Sequence, residues 1–319
     1  MLFARRLFIV GAALLGGTSL AQAQTSYPNQ TVRIVVPFGA GSVTDTMARI
    51  IGDKLSQVWK QTVIVDNRPG LPGTTSVAKS RPDGYTLMLT SNGHVIANLI
   101  NKDISFNPVA DFAGIIRLVE APFVIISTPK LNLKTLPELI ALAQKEPGKY
   151  NYSSAGIAST SFLMTETFRQ AAGINLVHVP YKGTPDAVSA VLRGDVAFYT
   201  APIPDSMEQA KVGNVNMLAI GSAQRVKQLP DLPTIAETVP SFKYQTWFGL
   251  MAPAGTPKEI IDKVNADARA ALATPEVVER LALLGAIADP NTPAEMDALI
   301  KADAAKYAVI VKNAGVEAN

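Results

Sequence analysis

Residues of the kind that do chemistry gather in a few short stretches of this chain. Gly39-Ala40-Gly41-Ser42 is followed by Thr44-Asp45; Tyr152-Ser153-Ser154-Ala155-Gly156 forms a second small-residue stretch; His94 and His178 are the only histidines. The first stretch follows an apolar run and opens an amphipathic one, as a dinucleotide loop would, and Asp66 ends the next strand where a ribose-binding acid belongs. The third glycine of that fingerprint is missing, because Thr44 and Asp45 stand where close helix–strand packing needs a small residue. The second stretch lacks the leading glycine of a nucleophile elbow. His178 falls inside a predicted strand, and His94 has no obvious acid to orient it, so a serine hydrolase is poorly supported. Two isolated histidines and no cysteine make no zinc site, no disulfide and no thiol nucleophile. What survives is an anion grip: glycine backbone close to a ligand and a helix start that aims unpaired N–H groups at it. Asp45 is then expected to brace the loop amides rather than touch the ligand, since a carboxylate repels an anion and would suit only an ammonium group. Arg68 and Lys182, the basic residues nearest the predicted cleft, are read as solvated. Phe242, Trp247 and Phe248 are read as core and hinge packing.

These groups need elements to hold them. Thr31 to Val36 is almost entirely β-branched or apolar and reads as a buried strand that Pro37 ends. Met47, Ile50, Ile51, Leu55 and Val58 recur at helical spacing behind the glycine loop. Further strands are predicted at Thr62–Val65, Tyr85–Thr90, Phe123–Ser127, Tyr150–Ser153, Leu176–Val179, Val196–Tyr199, Met217–Ile220 and Gln245–Ala252. Helices are predicted at Thr74–Ser80, Leu136–Gln144, Ser159–Ala172, Asp186–Leu192, Lys258–Ala273, Pro275–Leu284 and Pro293–Val311, with Gln228–Pro240 as a return path. Strands alternating with helices indicate a doubly wound, mainly parallel sheet. The strand–loop–helix design of Thr31–Trp59 recurs at Tyr150–Ala172, so two such units are expected to face each other across a cleft. The closing helices have no strands of their own and should pack back on the first lobe.

At 319 residues the chain exceeds one typical domain. Arg5 and Arg6, the apolar run Leu7–Leu20 and the Ala21-Gln22-Ala23 site read as an export leader, residues 1–23, too short to span a bilayer. The expected order is residues 24–123 for the first lobe, 124–244 for the second and 245–319 for a return to the first. The 29 Lys and Arg nearly balance the 26 Asp and Glu once the two leader arginines are set aside. Nothing there points to nucleic acid or an anionic membrane. A soluble periplasmic protein is expected, exported by the general or the twin-arginine route.

Several blocks, in order over nearly the whole chain after the leader, resemble the Bug-type receptors of tripartite tricarboxylate transporters. They are Val36-Pro37-Phe38 with Gly41 and Thr44-Asp45, then Asp66–Gly70, Asp83–Thr86, Tyr152–Gly156, His178–Gly183, Leu229–Thr234 and Trp247–Pro257. The resemblance implies an α/β, two-lobed periplasmic-binding-protein fold, a type II Venus flytrap with a mainly parallel sheet in each lobe. It implies a ligand carboxylate gripped by backbone amides and ordered waters. The first-lobe loops map to Phe38–Asp45, with Phe38, Ala40, Gly41, Ser42, Thr44 and Asp45 at the ligand, and to Leu71–Thr75, with Leu71, Gly73 and Thr74. Asn92, after the third strand, is counted with them. The second lobe would supply Ser154, Ala155, Gly156 and Ser159, then Tyr199, Thr200 and Ala201.

The chain departs from the family pattern in ways that bear on the ligand. A double glycine before Thr-Asp becomes Gly41-Ser42-Val43, and a Pro-Gly-Ala-Gly-Gly stretch becomes Pro69-Gly70-Leu71-Pro72-Gly73. Phe198-Tyr199-Thr200-Ala201 replaces a stretch that often carries an acid. The expected ligand is therefore a carboxylic acid without an ammonium group, with Tyr199 and Leu71 facing an apolar or aromatic body. The expected role is a monomeric, cofactor-free receptor, not an enzyme, that delivers a mono- or dicarboxylate to membrane permease subunits. A receptor serving a signalling partner would need the same clamshell.

Overall fold

The computed structural model describes residues 27–157, 159–244 and 246–316. The leader reading and Gln245, at the head of a predicted strand, lie outside them. Strands follow in the order β1 Val32–Val36, β2 Val63–Asn67, β3 Thr86–Ser91, β4 Phe112–Glu120, β5 Phe123–Ser127, β6 Asn151–Ser154, β7 Val177–Pro180, β8 Phe198–Pro202, β9 Asn216–Ile220, β10 Phe248–Pro253 and β11 Ile287–Ala288. The helices are α1 Val43–Trp59, α2 Leu71–Ala78, α3 Ala97–Ile100, α4 Leu136–Lys145, α5 Thr160–Ala172, α6 Thr184–Arg193, α7 Ile203–Lys211, α8 Ile235–Thr238, α9 Lys258–Leu272, α10 Pro275–Leu283 and α11 Pro293–Asn313.

The strands form a six-stranded sheet, β11-β4-β10-β3-β1-β2, and a five-stranded sheet, β7-β6-β8-β5-β9. Most strands of each sheet point the same way. In the first sheet β10 runs against both β3 and β4, and the short β11 runs against β4. In the second, β5 runs against both β8 and β9. β5 and β10 are the first strands laid down after the chain passes from one sheet to the other. Each therefore starts where its neighbours end. The C-terminal ends of β1–β4 and the start of β10 share one edge, as do the ends of β6–β9 and the start of β5. The chain crosses between sheets from those two edges, so they face each other, and ligands of open α/β sheets bind outside carboxyl edges of this kind.

The apolar spacing of α1 buries Met47, Ile50, Ile51 and Leu55 against the sheet, but the stripe ends on Trp59, while Val58 is 49% exposed. Gly52 lets this helix sit close: a Cβ there would lie 3.3 Å from Val63 Cγ1. As expected, α9 and α11 pack on β4 of the first sheet, and α11 also lies against α5, with Gln170 Nε2 donating to the Ile310 carbonyl at 2.9 Å.

Besides the short α3, α8 and β11, two longer elements escaped the sequence pattern, β4 and α7. Strand β4 reads locally as interrupted by Gly114 and Arg117, and both interruptions serve distant partners. The Gly114 amide donates to Asp297 Oδ1 at 2.7 Å where α11 docks, and Arg117 pairs with Asp289 at 2.8 Å. Helix α7 was hidden by its prolines: Pro202 ends β8 as the N-cap and Pro204 sits in the helix's first turn, a position proline suits. The segment expected as a return path, Gln228–Pro240, instead carries α8 and packs on the second sheet, where Thr234 bridges to Ile220.

Candidate functional site

Helix α1 begins at the carboxyl edge of the first sheet. Ser42, in extended conformation, is its N-cap and accepts the Asp45 amide at 3.2 Å, while the Ser42 carbonyl takes the Thr46 amide at 2.9 Å. Val43 and Thr44 therefore present amides with no acceptor inside the helix. Asp45 does not use its carboxylate on open cleft. Oδ2 accepts the Gly41 amide at 2.8 Å, and Arg49, one turn on, reaches Oδ1 at 3.0 Å. Arg49 also donates to Asn67 Oδ1 at 3.1 Å, and Asn67 Nδ2 holds the Phe38 carbonyl at 3.2 Å. Both ends of the loop Phe38–Ser42 are thus fastened, leaving Gly39, Ala40 and Gly41 exposed between them. Gly41 sits at φ +80°, where a side chain would be strained. Burial pushes the Asp45 carboxyl up, but hydrogen bonds from Gly41, Arg49 and Asn67 together outweigh it and hold the group below its ordinary value.

The second predicted loop is shorter than expected. Helix α2 starts at Leu71 rather than Thr74, because Gly70 at φ +75° serves as N-cap and Pro72 fits the first turn. The Gly70 amide is tied to the Pro37 carbonyl at 3.1 Å, joining this helix start to the end of β1. Leu71 is half-buried, whereas Gly73 and Thr74 are buried. A Cβ at Gly73 would collide with the Arg68 carbonyl oxygen, so a glycine is required there by close approach.

Helix α5 repeats the first design at the edge of the second sheet. Ser159 is its N-cap and accepts the Phe162 amide at 3.2 Å, and the Ser159 carbonyl takes the Leu163 amide at 3.1 Å. Thr160 and Ser161 are left with amides that have no acceptor inside the helix. The loop before it is held by hydroxyls. Ser154 Oγ accepts the Gly156 amide at 3.2 Å, Ser161 Oγ accepts the Ala155 amide at 3.1 Å, and Ser159 Oγ donates to the Gly156 carbonyl at 2.6 Å. Ser154 is itself backed by His178 Nε2 at 2.7 Å, an imidazole lying against Tyr152 and Phe162. Burial lowers the His178 pKa to about 4, against the pull of Glu166, so the ring is neutral at ordinary pH.

The remaining predicted contact residues lie deeper. Tyr199 was expected to end a strand, with Thr200 and Ala201 just beyond it, but all three belong to β8 and are fully buried. Alternation along the strand sends Thr200 towards α5, where its Oγ1 is 2.6 Å from Thr165 Oγ1, and Tyr199 to the other face. The Tyr199 hydroxyl donates to Thr184 Oγ1 at the start of α6, and burial pushes its pKa up to about 12 against hydrogen bonds with Thr184 and Ser161. The two side chains leave β8 on opposite faces, yet the Tyr199 hydroxyl still reaches Ser161 in the first turn of α5. Asn92 is fully buried and its side chain is engaged with Thr160, Tyr244 and Tyr307. His94 is buried against Phe106 and Phe112 and hydrogen-bonds the Pro108 carbonyl at 2.8 Å. Phe242, Trp247 and Phe248 are core residues. A cavity of about 550 Å³ lies beside the crossovers, between Glu120, Ser222, Phe242 and Lys306, and contains none of the predicted contact residues.

Residues that hold the site and carried no functional reading in the sequence are Arg49, Asn67, Thr160, Ser161, Tyr244 and Tyr307. Arg49 had a local signal, its i+4 spacing from Asp45. The tyrosines had none.

Chemically, the arrangement offers backbone donors and hydroxyls at two helix starts, and among the described residues named above no nucleophile–base–acid set is aligned. Ser154 and His178 touch, but Ser154 is buried beneath its own loop and the imidazole backs that loop.

Known proteins agree with this architecture. The sequence pattern described as the tripartite tricarboxylate transporter family receptor, TctC, matches residues 47–316. Protein BugT of Bordetella pertussis is 33% identical, covering 98% of each chain. The structure of R. palustris Rpa4515 with adipate superposes with a TM-score of 0.83 at 32% identity, over 92% of this chain and 100% of that one. MatC of Rhodopseudomonas palustris with bound malate gives 0.79 at 30% identity, over 89% of this chain and 100% of that one. With its two-lobed type II binding-protein fold, this chain belongs to the tripartite tricarboxylate transporter family of solute-binding receptors.

Proposed function

We propose that this protein is an exported periplasmic receptor, freed of residues 1–23, that closes on a small carboxylate and hands it to the membrane subunits of a tripartite transporter without acting as an enzyme. The observation that carries this reading is the pair of matched helix starts. α1 and α5 each open at the carboxyl edge of a sheet, each behind a serine N-cap, each with first-turn amides lacking an internal acceptor. The positive ends of both helix dipoles favour a negative charge between them. Adipate and malate in the two relatives support a carboxylate as the ligand class. Phe38, Ala40, Ser42, Thr44 and Leu71 would meet it from the first lobe, and Ala155, Gly156 and Ser159 from the second, with Asp45, Gly41 and Ser154 holding the loops.

The ligand lacks an ammonium group on this reading. The Asp45 carboxylate is already committed to Gly41 and Arg49. The acid near Tyr199 is Asp205 in the first turn of α7, whose carboxyl burial pushes towards the neutral form. A thermal-shift screen of carboxylic acids on the mature chain tests both statements. A ligand at 100 times its Kd adds about 2.7 kcal/mol of apparent stability. Mono- or dicarboxylates are expected to give the largest shifts. Aspartate or glutamate as the strongest ligand overturns the exclusion of ammonium groups, and shifts from uncharged solutes alone overturn the anion site.

A further inference from the structure

Asn92, Thr160 and Tyr244 close a ring of hydrogen bonds in the interior. Asn92 Nδ2 donates to the Tyr244 hydroxyl at 2.7 Å, the Tyr244 hydroxyl donates to the Thr160 carbonyl at 3.2 Å, and Thr160 Oγ1 donates to Asn92 Oδ1 at 3.0 Å. All three residues are buried. Asn92 has a second acceptor in Tyr307 at 3.2 Å on α11, and its own amide donates to the Trp247 carbonyl at 3.3 Å. Four parts of the molecule meet here: the 3-10 turn after β3, the start of α5, the segment returning from the second sheet, and α11. The return segment and α11 run between the lobes, so any swing of one lobe against the other has to turn about this junction or break it.

Thr160 has a particular place in the ring. Its hydroxyl and its carbonyl are both spent on the junction, and its remaining polar group is the first-turn amide of α5, which has no acceptor inside the helix. One residue thus joins the start of α5 to a hydrogen-bonded contact that crosses between the lobes. We infer that Thr160 is a positioning residue that, through Asn92 and Tyr244, fixes the second jaw's amides against the first lobe and couples ligand grip to lobe closure. What the amide holds rests on the carboxylate reading above; the ring does not.

The natural chain has no cysteine, so spin labels can be placed cleanly at exposed positions on the two carboxyl edges, Arg68→Cys after β2 and Lys182→Cys after β7. The distance distribution between them, measured in the ligand-free protein by pulsed electron resonance, reports the lobe angle. Thr160→Val keeps the shape but removes the donor to Asn92 Oδ1, and Thr160→Ser restores it. The inference expects a narrow distribution for the wild type and Thr160→Ser, and a broadened or second population for Thr160→Val and Asn92→Ala. A lowered Tm with an unchanged distribution would make the ring mere core packing and overturn the coupling. An unchanged distribution at unchanged Tm overturns it too. Failure of the carboxylate screen, by contrast, would leave these distances as they are.

Discussion

The two jaws share a plan and differ in what holds them. In each, a serine caps the helix, and a glycine at positive φ, Gly41 at +80° or Gly156 at +113°, has its amide tied by a side chain. In the first jaw that side chain is a carboxylate, Asp45, paired with a half-exposed Arg49. In the second it is a hydroxyl, Ser154, backed by a neutral imidazole. The first brace is local: every partner lies on α1, the adjoining loop or the neighbouring β2. The second jaw is locked into the interior, through His178 below and through Thr160 to the hinge behind. One loop is thus stiffened by a buried carboxylate whose partner Arg49 reaches solvent, the other by neutral hydrogen bonds. On the carboxylate reading proposed above, the first jaw is a preformed cradle, whereas the second holds a ligand only as well as the junction at Thr160 holds it.

The largest difference should come from cutting the two braces. Asp45→Ala leaves the Gly41 amide without its acceptor and Arg49 without its partner. Hydrogen bonds to charged groups are worth about 1.5–3 kcal/mol each, so a loss of about 2–3 kcal/mol is expected, moderated by the exposure of Arg49. Ser154→Ala removes a neutral acceptor from the Gly156 amide and should cost about 1 kcal/mol. Chemical denaturation of both variants measures the gap. Equal losses would show that the charged brace contributes no more than the neutral one.

Alanine at the two glycines gives a smaller contrast, with the order reversed. Gly41→Ala meets open space, and its cost is the left-handed backbone alone, about 1 kcal/mol. At Gly156 the φ of +113° lies beyond the left-handed well, so about 2 kcal/mol is expected. Melting curves that rank Gly41→Ala as the more damaging would mean that the first loop, not the second, is the rigid one.

How much of this was legible in the sequence follows the same division. The first jaw could be read almost whole, since its glycines, N-cap serine, bracing acid and helix face all lie within the Thr31–Trp59 stretch. The second could be read only at its loop. Asn92 has its partners Tyr244 and Tyr307 at separations of 152 and 215 residues, and no local pattern announces such a junction. The same distance effect hid β4, whose Gly114 and Arg117 look like breaks until α11 and β11 are in place. Thr200 and Ala201 misled in the opposite sense: the predicted strand stopped at Tyr199, when it continues to Pro202 and buries all three residues.

Acid separates the jaws with the smallest effect and the most specific sign. The folded pKa of His178 is lowered to about 4 from an ordinary 6.5, chiefly by burial. The unfolded chain therefore takes up its proton first. Stability from keeping this ring neutral is complete above pH 6.5 and falls as the pH drops towards 4. Between pH 7 and pH 6 that amounts to at most about 0.7 kcal/mol. Asp45 also has a lowered folded pKa, so its contribution is present above its unfolded value of 3.8 and is lost only below that, as pH falls through the folded value. The second jaw should loosen first on acidification and the first jaw later. His94, also lowered to about 4 by burial, titrates in the same window from outside both jaws. Comparing unfolding at pH 7 and pH 6 for His178→Gln and His94→Gln therefore assigns the slope. Each variant should lose its share of it, and only His178→Gln should alter amide exchange at Gly156. If that exchange responds equally to both, the imidazole behind Ser154 has no special hold on the second loop.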